Sequence, residues 1–315
     1  MIAIDIERLT KTYAGELFKP RVQALRGISF QVAEGETFGF IGQNGAGKTT
    51  TLKILMGLNR ATSGTVRILG QSSEHVAIRA RIGYLPEHPY FYDYLTPREF
   101  LTLYARLFGI KRFDPRPLLE RVGLGADLNL RLRNFSKGML QRIGIAQALV
   151  NNPDLLILDE PMSGLDPVGR RQLRDLLSTL KTQGKTIFFS SHIISDVETL
   201  CNHIAILHQG AIKASGQVST LLNGGMGQKQ VMLSGLSVAG FASIQSMGIR
   251  MTSLPGAPHI LDRHAPQVQC VLPDTALWSV LDAARSDGAQ LMSVTDARPS
   301  LEDFFMRVIA EGTPS

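Results

Sequence analysis

Gly42-Gln43-Asn44-Gly45-Ala46-Gly47-Lys48-Thr49 combines residue types and spacing that suit one task, the cradling of phosphate. Glycines at 42, 45 and 47 carry no Cβ, so the backbone can curl tightly and aim successive N–H groups at phosphate oxygens. Asn44, Ala46 and Thr50 belong to the same contacting run, and the helix expected behind it turns its positive end toward the anion. Lys48 supplies a mobile cation for β- and γ-phosphates, and the Thr49 hydroxyl suits a Mg²⁺ ion. The expected ligands are therefore a nucleotide with β- and γ-phosphates and a Mg²⁺ ion.

Further groups add chemistry to that cradle. Leu155-Leu156-Ile157-Leu158 is continuously apolar and ends in Asp159-Glu160, which reads as a central parallel strand with two acids at its carboxyl end. Asp159 suits the Mg²⁺ shell, and Glu160 suits orienting or deprotonating an attacking water. Thr186 to Ser190 reads as another strand, leading to His192 at a carboxyl edge where a γ-phosphate could be sensed. Ser136 and Gly138 stand where a helix should begin, so a hydroxyl and free N–H groups face a second anion position.

The elements that must carry these residues are legible in outline. Ile2–Leu9 and Ile28–Val32 read as strands, with a turn-rich insertion from Ala14 to Arg21, and Thr37–Ile41 is the strand feeding the glycine loop. A helix is expected over Thr50–Gly57, a strand over Thr65–Leu69, and the stretch Ile82–Glu87 leaves the nucleotide core. Thr96-Pro97-Arg98-Glu99 is a capping box, followed by Phe100, Leu103, Tyr104, Leu107 and Phe108 at helical spacing. Further helical pieces at Pro117–Val122 and Ser136–Val150 make residues from about 88 to 150 a helical subdomain. Ile204–Leu207 and Ala211–Ala214 form a closing hairpin around Gln209-Gly210. The expected fold is α/β, a P-loop NTPase core with an antiparallel β subdomain and an inserted helical subdomain, plus a small C-terminal α+β domain.

Composition bounds the rest. The 315 residues give room for a large domain and a smaller one. Cys201 and Cys270 are too isolated for a disulfide framework or a metal-type pair. No signal peptide opens the chain and no run matches a membrane span, so a cytoplasmic chain that does not itself cross a bilayer is expected. Net charge is +6, yet residues from Lys229 onward hold 6 basic against 8 acidic groups. Between Arg106 and Arg142 there are 9 basic and 3 acidic residues, which reads as a solvated basic face before a nucleic-acid platform.

The ordered set of motifs resembles the ATP-binding subunit of ABC transporters over residues 2 to about 222: Gly42 to Thr49, the signature Phe135-Ser136-Lys137-Gly138-Met139-Leu140-Gln141-Arg142, Leu155 to Glu160, the loop Ser163-Gly164-Leu165-Asp166, and His192. The resemblance implies that Tyr13 stacks on adenine and that Ser136 and Gly138 meet the γ-phosphate bound by a second copy of the chain. It further implies that Asp166 couples the two sites of that homodimer. Two departures point within the family. The signature is F-S-K-G-M where most members have L-S-G-G-Q, and Glu87 replaces the usual glutamine near the Mg²⁺ water. Both resemble exporters whose membrane partner is a separate six-helix protein of the ABC-2 type. That resemblance implies a motor peripheral to the cytoplasmic face of the inner membrane, bound through a separate multi-span permease, with no nucleic acid expected. The competing reading is a soluble ABC ATPase acting on nucleic acid or ribosomes, motivated by the basic stretch.

The organisation expected is an ATPase domain over 1–222, a linker over 223–229 and an accessory α+β domain over 230–315. In the last of these, strands are expected at Gln230–Ser234, Gln267–Leu272 and Gln290–Val294, and helices at Val238–Met247, Asp274–Arg285 and Ser300–Ile309. His259, Asp262 and His264 match no standard metal spacing and read as a solvated loop.

Overall fold

The computed structural model describes residues 1–14, 20–222, 228–254, 267–297 and 300–311. The described chain divides into two compact units, Met1–Val218 with the closing residues from Phe305, and Ser219–Phe304.

The first unit starts with β1 (Ile2–Tyr13) and β2 (Val22–Ala33), both longer than the sequence suggests. The pairing of β1 with β2 shifts register between Ile6 and Leu9, where Arg8 takes φ 44°, so the alternation breaks while the strand continues. Then come β3 (Thr37–Ile41), α1 (Lys48–Leu55), β4 (Ser63–Ile68), β5 (Gln71–Ser72) and β6 (Ile82–Leu85). The helical stretch holds α2 (Pro97–Leu107), α3 (Arg116–Arg121) and α4 (Lys137–Leu149). The Thr96–Glu99 capping box is present with both reciprocal bonds. After β7 (Leu155–Asp159) the chain forms α5 (Pro167–Thr182), β8 (Thr186–Ser191), α6 (Ile194–Leu200), β9 (His203–His208), β10 (Ala211–Gln217) and α7 (Val218–Leu222). Helices α5 and α6 are additions to the sequence-based reading.

Two sheets organise this unit. One is antiparallel, in the order β2-β1-β4-β5, and the other has the order β10-β9-β3-β8-β7-β6. In the second, β3, β6, β7, β8 and β9 are joined by parallel pairs, and β10 is antiparallel to β9. All of β3, β7 and β8 is buried, which accounts for the continuous apolar run Leu155–Leu158 of β7 and the apolar centres of the other two. Phe30 of β2 stacks on Phe38 of β3 and Phe188 of β8, with centroids 5.4 and 5.9 Å away, joining the two sheets in one core. A second core gathers Phe100, Leu101, Leu119, Ile143 and Ala146 beneath the helical stretch.

The second unit contains β11 (Gln228–Ser234), α8 (Val238–Ser246), β12 (Arg250–Leu254), β13 (Gln267–Pro273), α9 (Leu277–Ser286) and β14 (Gln290–Asp296). Strand order is β12-β13-β11-β14, all neighbours antiparallel, which is a split βαββαβ arrangement. Strand β12 escapes the sequence reading. Its core contains Val231, Leu233, Ile244, Val268, Cys270 and Val280. The closing helix α10 (Leu301–Glu311) is capped by Ser300, whose Oγ accepts from the Asp303 N–H at 3.1 Å. The histidine loop from 259 to 264 and the glycine stretch from 223 to 227 lie outside the described residues. The first residues of the expected linker that are described, Gln228 and Lys229, are already in β11.

Candidate nucleotide site

Register explains why the chemical residues meet. Ile41 pairs with Ser191 and Asp159 with Ser190, so the ends of β3, β8 and β7 lie side by side, and the segments that come after them converge. Strand β6 joins the same edge, with Leu85 opposite Leu158, and Glu87 comes two residues later.

The loop between β3 and α1 is shaped as its glycines require. Gly45 and Gly47 adopt φ 79° and 112°, and a Cβ on Gly47 would lie 2.7 Å from the Ala24 carbonyl oxygen. Gly42 has an ordinary φ, so its lack of a side chain serves close approach instead: a Cβ there would lie 2.6 Å from the Leu207 carbonyl oxygen. The buried Lys48 ammonium donates to the Gly42 carbonyl at 2.6 Å and lies 3.0 Å from Glu160 Oε1.

Glu160 is the hub. It is 5% exposed, and its Oε2 is 2.7 Å from His192 Nδ1. Its own N–H donates to Ser190 Oγ at 3.0 Å, and that hydroxyl donates to Asp159 Oδ1 at 2.6 Å. The backbone at Glu160 has φ 51°, a left-handed conformation uncommon for a residue with a side chain. Asp159 is fully buried, and its Oδ2 has no hydrogen-bond partner. Burial pushes the Asp159 carboxyl up. Hydrogen bonds from Ser190 and Thr49 oppose that, while the charges of Glu87 and Glu160 add to it. Burial, with Asp159 nearby, also pushes the Tyr84 phenol up to about 12.

A cleft of about 240 Å³ opens over this edge, and Asn44, Gly45, Gly47, Lys48, Thr49, Thr50, Glu87 and Glu160 line it. Gly42 and Ala46, expected to contact the phosphates, are not among its lining residues. Tyr13 is not among the lining residues; its hydroxyl accepts from Asn59 Nδ2 at 2.9 Å and stands 3.4 Å from Thr50 Oγ1, with Lys11 over its ring. Ser136, Gly138 and Asp166 also lie outside the lining. Ser136 caps α4, accepting from the Met139 N–H at 3.2 Å, and Asp166 caps α5, accepting from the Gly169 N–H at 3.0 Å.

The sequence reading misses part of the wall. Val22, Gln23, Ala24 and Arg26 of β2 and the turn Gln209-Gly210 line the same cleft. Their types carry no phosphate-binding signal, and a tertiary contact between β2 and the β9–β10 turn brings them in: the Arg26 N–H donates to the Gly210 carbonyl at 2.7 Å. Ser190 is missed as well, although a serine inside a fully buried strand is a legible sign of a polar duty.

A glycine cradle with a buried lysine, next to acids at the carboxyl edge of a parallel sheet, defines a P-loop nucleoside triphosphatase. The capped helix at Ser136 and the loop to Asp166 narrow this class, and comparison with known proteins narrows it to a family. Residues 25–163 match the ABC transporter family model. An uncharacterised ABC transporter ATP-binding protein of Synechocystis is 42% identical over 98% of this chain and 85% of its own length. The bacitracin transport ATP-binding protein of Bacillus licheniformis is 35% identical over 97% of this chain and 96% of its own. A solved ATP-binding subunit of an ABC transporter superposes with a TM-score of 0.63 at 33% identity, covering 70% of this chain and 92% of that one. A dimeric cassette solved after hydrolysis, with ADP and phosphate bound, gives 0.62 at 26% identity over 68% and 98%. The chain belongs to the ABC transporter ATP-binding family and is one of its ATPases. Among the described residues no helix is long and apolar enough to cross a membrane.

Proposed function

We propose that this chain is the motor of an ABC-2-type exporter: two copies close on ATP, hydrolysis reopens them, and the motion drives a separate multi-span membrane subunit. The observation that carries the reading is the buried Glu160 carboxylate held between Lys48 and His192 beside the phosphate loop. Within it, Glu160 orients or deprotonates the attacking water, and His192 steadies the carboxylate and senses the γ-phosphate. Lys48 leaves Glu160 for the β- and γ-phosphates when nucleotide enters. Tyr13 offers its ring to adenine, and Gly42 through Thr50 wrap the phosphates.

Magnesium fits the residues present. Asp159 Oδ2 is buried without a partner, the Thr49 hydroxyl helps to hold down the pKa of the same carboxylate, and Glu87 adds negative charge. Among the described residues no three His, Cys, Asp or Glu side chains converge into an ion cage, which suits a cation shared with nucleotide phosphates. Such an ion would neutralise charge on the phosphates. Thr49 and Asp159 would hold it, with Glu87 near its water shell.

Surfaces suggest the partners. Ser136, Gly138 and Asp166 lie outside the cleft of their own chain, as residues serving a second copy would. Tyr84, Pro86, Tyr90, Tyr104 and Phe108 line a separate groove of about 350 Å³ between the end of β6 and α2. Tyr90 is 82% exposed there, and this groove beside Glu87 is our docking face for the membrane subunit. Relatives are named for bacitracin transport and Nod factor export, which favours export and a position on the cytoplasmic face of the inner membrane. The soluble nucleic-acid reading has no such support.

Glu160→Gln should retain ATP binding while turnover falls by about a hundredfold or more. Purified from its host in mild detergent with ATP, that variant should bring a multi-span membrane protein identified by mass spectrometry. Near-normal turnover, or recovery of ribosomes without a membrane protein, would reject the assignment.

A further inference from the structure

Glu160 holds a left-handed backbone conformation, so something must fix the turn that comes after it. The Ser163 N–H closes that turn on the Glu160 carbonyl at 3.0 Å. Pro161 has no N–H, and its carbonyl is the one backbone group it can offer. That carbonyl accepts from Gln141 Nε2 at 2.7 Å, across a buried contact. Gln141 is 7% exposed, on the inward face of α4, one turn beyond the capping Ser136. A buried carboxamide is costly unless bonded, and its bond ends one residue past the carboxylate.

Two further contacts join the same elements. A Cβ on Gly138 would lie 3.6 Å from Leu165 Cδ2, so the first turn of α4 packs on the loop after Glu160. The Lys137 side chain lies across Gly164, whose φ of 71° and bare Cα make room for it. The start of α4 and the segment from Pro161 to Leu165 are therefore in contact at successive points, with Gln141 nearest the carboxylate.

We propose that Gln141 is a positioning residue for Glu160, through which engagement of the signature helix is transmitted to the catalytic carboxylate of the same chain. The proposal rests on the assignment of Glu160 to the hydrolytic step. The hydrogen bond holds the Pro161 peptide, the peptide holds the backbone at Glu160, and a displacement of α4 tilts the carboxylate relative to Lys48 and His192. Misplacing a catalytic group by a fraction of an ångström lowers the rate of the chemical step without touching ground-state binding.

The test is steady-state and single-turnover ATPase of the full chain carrying Gln141→Met, which keeps length and burial but removes the donor. The expected result is a kcat lowered about tenfold or more with KM within about threefold. In a Glu160→Gln background the same substitution should cost less than about twofold further, because its route to the chemistry is already gone. Gln141→Glu offers a donor only when protonated, so its kcat relative to the parent chain should rise as pH falls. A kcat of Gln141→Met within about twofold of the parent overturns the proposal, as does an undiminished loss in the Glu160→Gln background. If Gln141→Met does not fold, a flat pH ratio for Gln141→Glu overturns it. Normal turnover in Glu160→Gln alone would instead reject the assignment of Glu160.

Discussion

Fully buried and lacking a partner for Oδ2, Asp159 is a residue whose place in the fold opposes its charge. Burial, with Glu87 and Glu160 nearby, raises its carboxyl above the ordinary value. A folded-state pKa above the unfolded one means that the folded chain binds the proton more tightly. Its favourable contribution is full below the unfolded value and is lost as pH rises through the folded one, so ionised Asp159 destabilises the chain at neutral pH. Asp159→Asn should accordingly raise the thermal midpoint at pH 7.5 without nucleotide or Mg²⁺, by roughly 2–4 °C for each kcal/mol released. The gain should shrink toward pH 4, where the parent carboxyl takes up its proton. Melting curves with chelator at both pH values decide it; a lowered midpoint at pH 7.5 would show that the carboxylate is stabilised in place. The same variant should lose Mg²⁺-dependent turnover, because stability and activity pull on this residue in opposite directions.

At the scale of elements, the site depends on how closely α4 approaches β6. A Cβ on Gly83 would lie 2.0 Å from the Ala148 carbonyl oxygen, a backbone atom that cannot step aside. Gly83→Ala should thus cost about 3 kcal/mol, seen as a midpoint lower by roughly 6–12 °C, and should lower ATPase because α4 carries Ser136 and Gln141. Thermal melts that leave the midpoint unchanged would show that the helix can shift. Elements whose residues make their own signals were legible in the sequence: the glycine loop, the Thr96–Glu99 box and the apolar run into Asp159 all have local causes. Helix α5 has a local signal too, an Asp166 cap followed by Pro167 at its first position, although the family motif that Asp166 belongs to points to a coupling role and not to a helix start. Short α6 and edge strand β12 carry weak patterns and owe their form to tertiary packing. The lining from β2 and from Gln209-Gly210 is set by a tertiary backbone contact between two different sheets over a separation of more than a hundred residues, which no local pattern encodes.

For the whole molecule the question is whether the two units divide the labour. Every residue lining the nucleotide cleft falls between Val22 and Gly210, and the phosphate edge is built from β3, β7 and β8 of the first unit. The second unit has its own core and its own antiparallel sheet. A chain ended after Leu222 should therefore bind ATP with a dissociation constant within about threefold of the full chain, since binding draws on local groups that truncation leaves intact. The residues from Phe305 cluster with the first unit, so the same truncation removes part of that unit's surroundings and should lower its thermal midpoint while sparing affinity. Titration with a fluorescent ATP analogue alongside melting curves separates the two effects. Affinity lost in step with stability would mean that the closing helix is needed to form the cleft. Affinity preserved in a less stable chain would assign the accessory unit and the closing helix to stability, leaving phosphate chemistry to the edge where β3, β7 and β8 end.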